Sequence, residues 1–101
     1  MILCLTPNPA VDRTLYVNPL KLGEVHRAEK VLFAAGGKGL NVARTIRTLG
    51  GDPLCMGPIG GHTGKLLADL AGQEGLSAEW TYVRNETRTC ISWSRQIKTR
   101  L

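Results

Sequence analysis

The chain has 101 residues, of which 43% are hydrophobic and 21% are charged, a composition that is typical of a small globular domain and argues against disorder. Its three cysteines form no C-x-x-C pair, which argues against a disulfide-stapled secreted domain or a zinc site and favours a reducing, cytoplasmic compartment. The net charge of +5 is concentrated at one end, because residues 84–101 carry five basic and one acidic side chain whereas residues 1–83 carry eight and seven. With so few aromatic side chains available to stack on bases, nucleic-acid binding is not expected.

The N-terminal segment predicts three extended stretches. Residues 2–6 form an apolar run closed by P-N-P, which indicates a buried strand followed by a rigid turn and places Asp12 just after the strand. That run is too short for a signal peptide or a bilayer span, so no membrane association is expected. Residues 13–17 and 24–35 are rich in β-forming side chains, and we expect them to pair as a ribbon.

The period of the pattern changes at Asn41, where we expect a helix with Val42, Ile46 and Leu49 on its apolar face and a glycine pair at its end. Residues 52–61 predict a second buried strand, and Thr63 is a candidate N-cap for a second helix that ends near Gly75. Residues 77–83 and 87–93 predict further strands. Strands that alternate with amphipathic helices favour a parallel α/β sheet, with the ribbon as an appendage.

The segment AAGGKGLNVAR, residues 34–44, contains three glycines around Lys38, directly before the predicted helix. It is not a dinucleotide fingerprint, which requires glycine where Val42 stands, and GGHTGKLL is not a phosphate loop, which requires glycine at Ile59 and a hydroxyl at Leu66. Bare backbone amides that lead into a helix N-terminus, with Lys38 among them, suit an anionic or polyhydroxyl ligand. The alternative is that these glycines only form a tight strand-to-helix turn.

The ordered set LTPNPAVDRTLYV, LGEV, AAGGKGLNVARTIRTLGG, GPIGGHTG and ETRTCIS resembles the ribokinase-like (PfkB) carbohydrate kinases. It is most similar to the branch that contains 1-phosphofructokinase and tagatose-6-phosphate kinase. The resemblance implies the N-terminal part of a three-layer, Rossmann-type α/β sandwich with a small β lid, spanning residues 1–94, followed by an atypical basic tail at 95–101. It also implies a transfer of the γ-phosphoryl group of ATP, with Mg²⁺, to a hydroxyl of a sugar phosphate.

The resemblance assigns a substrate contact to five residues. Asp12 matches an aspartate that accepts hydrogen bonds from sugar hydroxyls, although a solvated turn residue is the alternative. Gly37 and Lys38 match the glycine loop, in which the ammonium offsets the substrate phosphate, although Lys38 could equally be an exposed loop lysine. Asn41 matches a sugar-binding asparagine, with a helix N-cap as the alternative. Arg88 matches a lid arginine that grips the phosphate, with a solvated strand-edge charge as the alternative.

The resemblance also implies what these residues lack. Members of the family continue into a G-A-G-D motif that carries the catalytic base and into segments that bind ATP, and neither is present in this sequence. We therefore expect no catalytic residue here and no turnover by this chain alone. His26 and His62 are not spaced as metal ligands, so no metal site is expected.

Two hypotheses follow. The chain is the sugar-binding portion of a sugar-phosphate kinase, or it is a non-catalytic remnant that pairs through its lid strands with a full-length kinase or a second copy. A basic nucleic-acid module is the third and least supported interpretation.

Overall fold

A computed structural model describes residues 1–17 and 30–95 of the chain, so residues 18–29 and 96–101 are not discussed further as structure. The elements follow in the order β1 (Ile2–Leu5), β2 (Ala10–Val17), β3 (Lys30–Gly36), α1 (Lys38–Thr48), β4 (Pro53–Ile59), α2 (Gly61–Gln73), β5 (Ser77–Tyr82) and β6 (Arg88–Arg95). Within the described ranges, no helix has both the length and the apolar character needed to cross a bilayer.

The main sheet is parallel and has the strand order β1-β4-β5, which confirms the predicted α/β arrangement. The strand order advances in one direction, so right-handed connections bring α1 and α2 to the same face of the sheet. Between that face and the helices lies the core, in which Cys4 and Cys55 are neighbours on adjacent strands. The core consists of Cys4, Val11, Ala35, Leu40, Ala43, Cys55, Ile59, Leu67, Ala71 and Leu76.

The opposite face of the main sheet is exposed within the described part of the chain. Leu3 and Leu5 on β1 are 59% and 62% exposed, and their partners on β4, Leu54 and Met56, are half-buried. The described residues therefore form a sheet and one helical layer of the expected sandwich.

A second sheet, which we call the lid sheet, has the order β3-β2-β6. Strands β2 and β3 are antiparallel, which confirms the expected ribbon over the described residues, although residues 24–29 of that prediction lie outside them. β6 pairs in parallel with β2 on its other side. Asp12 is the third residue of β2, between Ala34 and Cys90, so the turn position expected from the sequence is wrong.

α1 begins earlier and faces the core differently from the sequence prediction. Its N-cap is Gly37, whose φ of 131° is a backbone conformation that favours glycine, so the alternative role of Asn41 as N-cap is wrong. The buried positions are Leu40 and Ala43, three residues apart, whereas Leu49 is 82% exposed. The predicted apolar face is therefore correct for Ile46, which packs against the core, and wrong for Val42 and Leu49, which are exposed.

α2 also begins before its predicted start. Gly60 is the N-cap, and Thr63 lies inside the first turn, where its backbone N–H donates a hydrogen bond to Glu86 Oε1 at 2.7 Å. The helix ends as expected near Gly75, which has a φ of 78° and is followed by a bond from the Leu76 N–H to the Ala71 carbonyl.

Candidate functional site

A cleft of about 440 Å³ lies where the end of β1, the N-terminus of α1 and the start of β6 meet. Residues from all three regions line it: Thr6, Pro7, Asn8, Gly37, Lys38, Asn41 and Arg88. The fold therefore brings four of the five sequence-predicted site residues, Gly37, Lys38, Asn41 and Arg88, to one cleft.

The N-terminus of α1 supplies the backbone of this cleft. Among the described residues no side chain caps the helix, and its first turn contains no acidic residue, so its leading amides remain available to a ligand. The partial positive charge at a helix N-terminus favours an anion there. A side chain on Gly39 would collide with Thr6 and with the Leu5 carbonyl, so this glycine allows α1 to start directly against the end of β1.

Arg88 is exposed at the start of β6, and its guanidinium is held by two local contacts. Nη2 donates to the Asn8 carbonyl at 3.2 Å, and Nη1 lies 3.2 Å from Cys90 Sγ. A second hollow of about 410 Å³ shares Pro7, Asn8 and Arg88 with the cleft. The guanidinium therefore borders both hollows.

Asp12 does not line the cleft but lies near its edge. The register places Ala10 beside Arg88 and Asp12 two residues further along β2, so Asp12 and Arg88 belong to the same face of the lid sheet. The Asp12 carboxylate packs against the backbone of Gly36, where any side chain would collide with it. Because Gly36 directly precedes Gly37, this carboxylate is next to the glycine loop.

Arg44 links Asn41 to two other elements. Its guanidinium forms a bidentate pair with Glu74 at the end of α2, with Nε to Oε2 at 2.5 Å and Nη2 to Oε1 at 2.7 Å. It also donates from Nη1 to Asn41 Oδ1 at 2.8 Å and from Nη2 to the Ala35 carbonyl of β3. The hydrogen bond that Arg44 donates to Glu74 raises the pKa of Arg44 above its ordinary value, so the guanidinium stays charged.

Thr6, Pro7 and Asn8 also line the cleft, although the sequence of this segment predicts only a rigid turn. Thr6 is 2% exposed, and its hydroxyl has no hydrogen-bond partner among the described residues. The signal that would have found them is their position: they lie between the end of β1 and Asp12, in the same stretch that carried the resemblance.

Cys4 and Cys55 lie in the core and do not line this cleft. Burial raises the pKa of the Cys55 thiol, which keeps it protonated and unreactive in the core. In the described part of the chain, no group of three or more His, Cys, Asp and Glu side chains could hold a metal ion.

Comparisons with known proteins agree on one family. The profile of the pfkB family carbohydrate kinases matches residues 5–96. A 1-phosphofructokinase of Haloferax volcanii is 44% identical over 89 residues, which are 87% of this chain and 29% of that protein.

Solved structures give the same result. The phosphofructokinase-2 of Escherichia coli in complex with fructose-6-phosphate is 32% identical, with a TM-score of 0.81 over 87% of this chain and 29% of that one. A carbohydrate kinase of Agrobacterium tumefaciens is 25% identical, with a TM-score of 0.72 over 93% of this chain and 31% of that one. The chain thus spans about three-tenths of the length of the relatives it matches.

Proposed function

The chain belongs to the pfkB family of carbohydrate kinases, and from this premise we propose that its residues form the acceptor-binding part of a sugar-phosphate kinase. The acceptor is a ketohexose phosphate such as fructose 1-phosphate or tagatose 6-phosphate, and its free hydroxyl receives the γ-phosphoryl group of ATP. The protein acts in the cytoplasm, in keeping with the free thiols of Cys4 and Cys55 on adjacent strands.

The observation that carries this proposal is the charge of the cleft. Its described lining includes two cations, Lys38 and Arg88, and no carboxylate, and the uncapped N-terminus of α1 opens into it. Such a lining favours an anionic ligand, and a phosphate ester offers several acceptor oxygens to these donors.

The residues divide into two roles in this proposal. Lys38, Arg88 and the amides after Gly37 bind the phosphate, with Arg88 able to offer two parallel donors. Asp12 accepts hydrogen bonds from sugar hydroxyls at the edge of the cleft, because an ionised carboxylate can only accept. Asn41 contributes a neutral contact between these two ends.

The described residues do not fit ATP or Mg²⁺. Within the described ranges no carboxylate lines the cleft and no metal-binding cluster is found, and the 101 residues contain no G-A-G-D motif. We therefore assign no residue to the nucleotide or the metal and no catalytic base. The 101 residues by themselves are proposed to bind the sugar phosphate without transferring phosphate to it.

Isothermal titration calorimetry of the 101-residue chain with fructose 1-phosphate and tagatose 6-phosphate tests this proposal. Replacing Asp12 by Asn removes an acceptor but keeps the shape of the side chain, and we expect it to weaken binding at least tenfold, or about 1.4 kcal/mol. Asp69→Asn, an exposed site on α2, serves as the control and should bind like the unmodified chain. Unchanged affinity in Asp12→Asn, or no binding to either sugar phosphate, would contradict the proposal.

The alternative, a remnant that pairs through its lid, is favoured by one observation. Phe33 and Ile91 are both exposed and share one face of the lid sheet, on either side of Arg13. Exposed apolar side chains on a sheet face mark a surface suited to a second copy or to the lid of a full-length kinase. Co-purification with a full-length kinase in the absence of any sugar-phosphate binding would support this alternative over the main proposal.

A further inference from the structure

The hydrogen bond between Arg44 and Asn41 fixes which end of the Asn41 amide is free. A guanidinium carries donors only, so the amide must turn its oxygen toward Arg44, as the 2.8 Å bond to Oδ1 shows. The NH₂ group of Asn41, which lines the cleft, then has no hydrogen-bond partner among the described residues.

Arg44 itself is held firmly in place. Glu74 engages it through two parallel bonds, and the Ala35 carbonyl accepts a further one. Glu74 is the C-cap of α2 and Ala35 lies on β3, so the guanidinium is fixed relative to two elements besides its own helix. If the Asn41 amide rotated by half a turn, it would lose the bond to Arg44 and set its NH₂ group against a cation.

We propose that Arg44 is a positioning residue that orients the Asn41 amide with its NH₂ group toward the cleft, so that this position recognises only an acceptor oxygen of the ligand. The inference deepens the proposed function and rests on it for the identity of the ligand. Together with Lys38 and Arg88, Asn41 then makes the lining of the cleft one of hydrogen-bond donors, with Asp12 at its edge as the acceptor.

The orientation is first tested without any ligand. In a ¹⁵N-labelled chain, the two side-chain amide protons of Asn41 are assigned by their loss in Asn41→Asp. Arg44→Lys keeps the positive charge but removes the guanidinium that bonds to Asn41 Oδ1. We expect it to change the chemical shifts of the two Asn41 side-chain amide protons clearly, while the backbone amide signals remain those of a folded protein. Arg47→Lys is the matched control, since Arg47 lies on the same helix and donates to the backbone carbonyl of Glu74 instead. An Asn41 amide pair that is equally unaffected by both changes would overturn the inference.

The direction of the amide is then tested by binding of fructose 1-phosphate or tagatose 6-phosphate. If the NH₂ group meets an acceptor, Asn41→Asp places a carboxylate oxygen opposite that acceptor and should bind several-fold more weakly than Asn41→Ala. Asp at this position keeps the bond to Arg44, so the loss is not due to unfolding. Asn41→Asp binding as well as the unmodified chain would mean that the ligand uses the oxygen, and the inference would be wrong.

A double-mutant cycle separates positioning from a general effect on the fold. Arg44→Lys should weaken binding about tenfold in the unmodified chain but less than twofold in the Asn41→Ala background, because its action passes through Asn41. An equal loss in both backgrounds would show a structural role only and overturn the inference. If Arg44→Lys does not fold, Glu74→Gln, which loosens the same guanidinium, takes its place with the same expectations.

The two proposals fail in different ways. If the unmodified chain binds neither sugar phosphate, the proposed function fails, and the ligand-free spectrum still decides the orientation of Asn41. If the unmodified chain binds a sugar phosphate but Arg44→Lys weakens binding equally with and without the Asn41 side chain, the proposed function stands and the positioning role of Arg44 is wrong.

Discussion

Thr6 explains why glycine recurs in the loop that precedes α1. The side chain of Thr6 is buried beneath the first turn of the helix, with its methyl group against Gly37 and its hydroxyl against Gly39. A Cβ at either position would collide with it. The glycine cluster therefore serves close packing, and this role is compatible with the proposed ligand site.

This packing leaves the buried hydroxyl of Thr6 without a hydrogen-bond partner among the described residues. Thr6→Val replaces the hydroxyl by a methyl group of the same shape, and it should raise the free energy of unfolding by about 1 kcal/mol, because a buried hydroxyl without a partner costs about 1–3 kcal/mol. Urea denaturation measures the difference. Thr81→Val, an exposed site on β5, should change the free energy by less than about 0.5 kcal/mol. A lower stability of Thr6→Val would show that the hydroxyl is paired in solution.

At the scale of elements, the sequence predicted the strands better than the helix starts. The runs that form β1 and β4 are apolar, which is typical of parallel strands, and this signal is local. The expected burial is found for β4, whereas in β1 only Cys4 is buried among the described residues. The start of α1 depends on the left-handed backbone of Gly37 and on packing against Thr6, which is an interaction between separate elements. No apolar periodicity records such a contact.

The same distinction holds for the site. The glycine loop with Lys38 is predicted from the residues themselves, whereas Asn41 and Arg88 are predicted only through the family resemblance. The contact between Arg44 and Glu74 joins residues 30 positions apart, so it could not be inferred from the residues around the glycine loop. Asp12 was placed in a turn because proline-rich sequence normally ends a strand, whereas here β2 begins directly after Pro9.

The N-terminus of α2 gives a pH-dependent prediction. Glu86, from the segment between β5 and β6, accepts a hydrogen bond from the backbone N–H of Thr63, and this bond holds the pKa of Glu86 below its ordinary value. A lowered pKa in the folded state adds stability above the ordinary glutamate pKa of about 4.3, and this contribution is lost as the pH falls through the lowered pKa. Glu86→Gln should therefore lower the Tm at pH 7, and the difference from the unmodified chain should shrink below about pH 4.

Thermal melts of both proteins followed by circular dichroism between pH 3 and pH 7 measure this difference. Glu79→Gln, an exposed change on β5, should leave the Tm difference small and nearly constant with pH. A Tm difference for Glu86→Gln that stays the same at every pH would show that the carboxylate charge has no part in capping α2.

At the scale of the whole molecule, the described residues cover the main sheet on one face only. The strand order advances from β1 to β5 in one direction, so both right-handed connections place their helices on the same side. The other face presents Leu3 and Leu5 at the outer strand of the sheet, in a part of the chain that the structure describes in full. An apolar face beside an unpaired strand edge is a surface that proteins normally cover or protect with charge.

The last prediction concerns this face. The double variant Leu3→Lys with Leu5→Lys places two charges on β1, and we expect it to reduce self-association of the 101-residue chain and its binding of an apolar fluorescent dye, because charge on an outer strand opposes edge-to-edge pairing. Sedimentation velocity over a range of concentrations measures the association. Leu49→Lys changes a leucine that is even more exposed, at the end of α1, and should leave both measurements unchanged. A variant that associates as strongly as the unmodified chain would show that contacts form elsewhere, with the exposed face of the lid sheet as the next surface to alter.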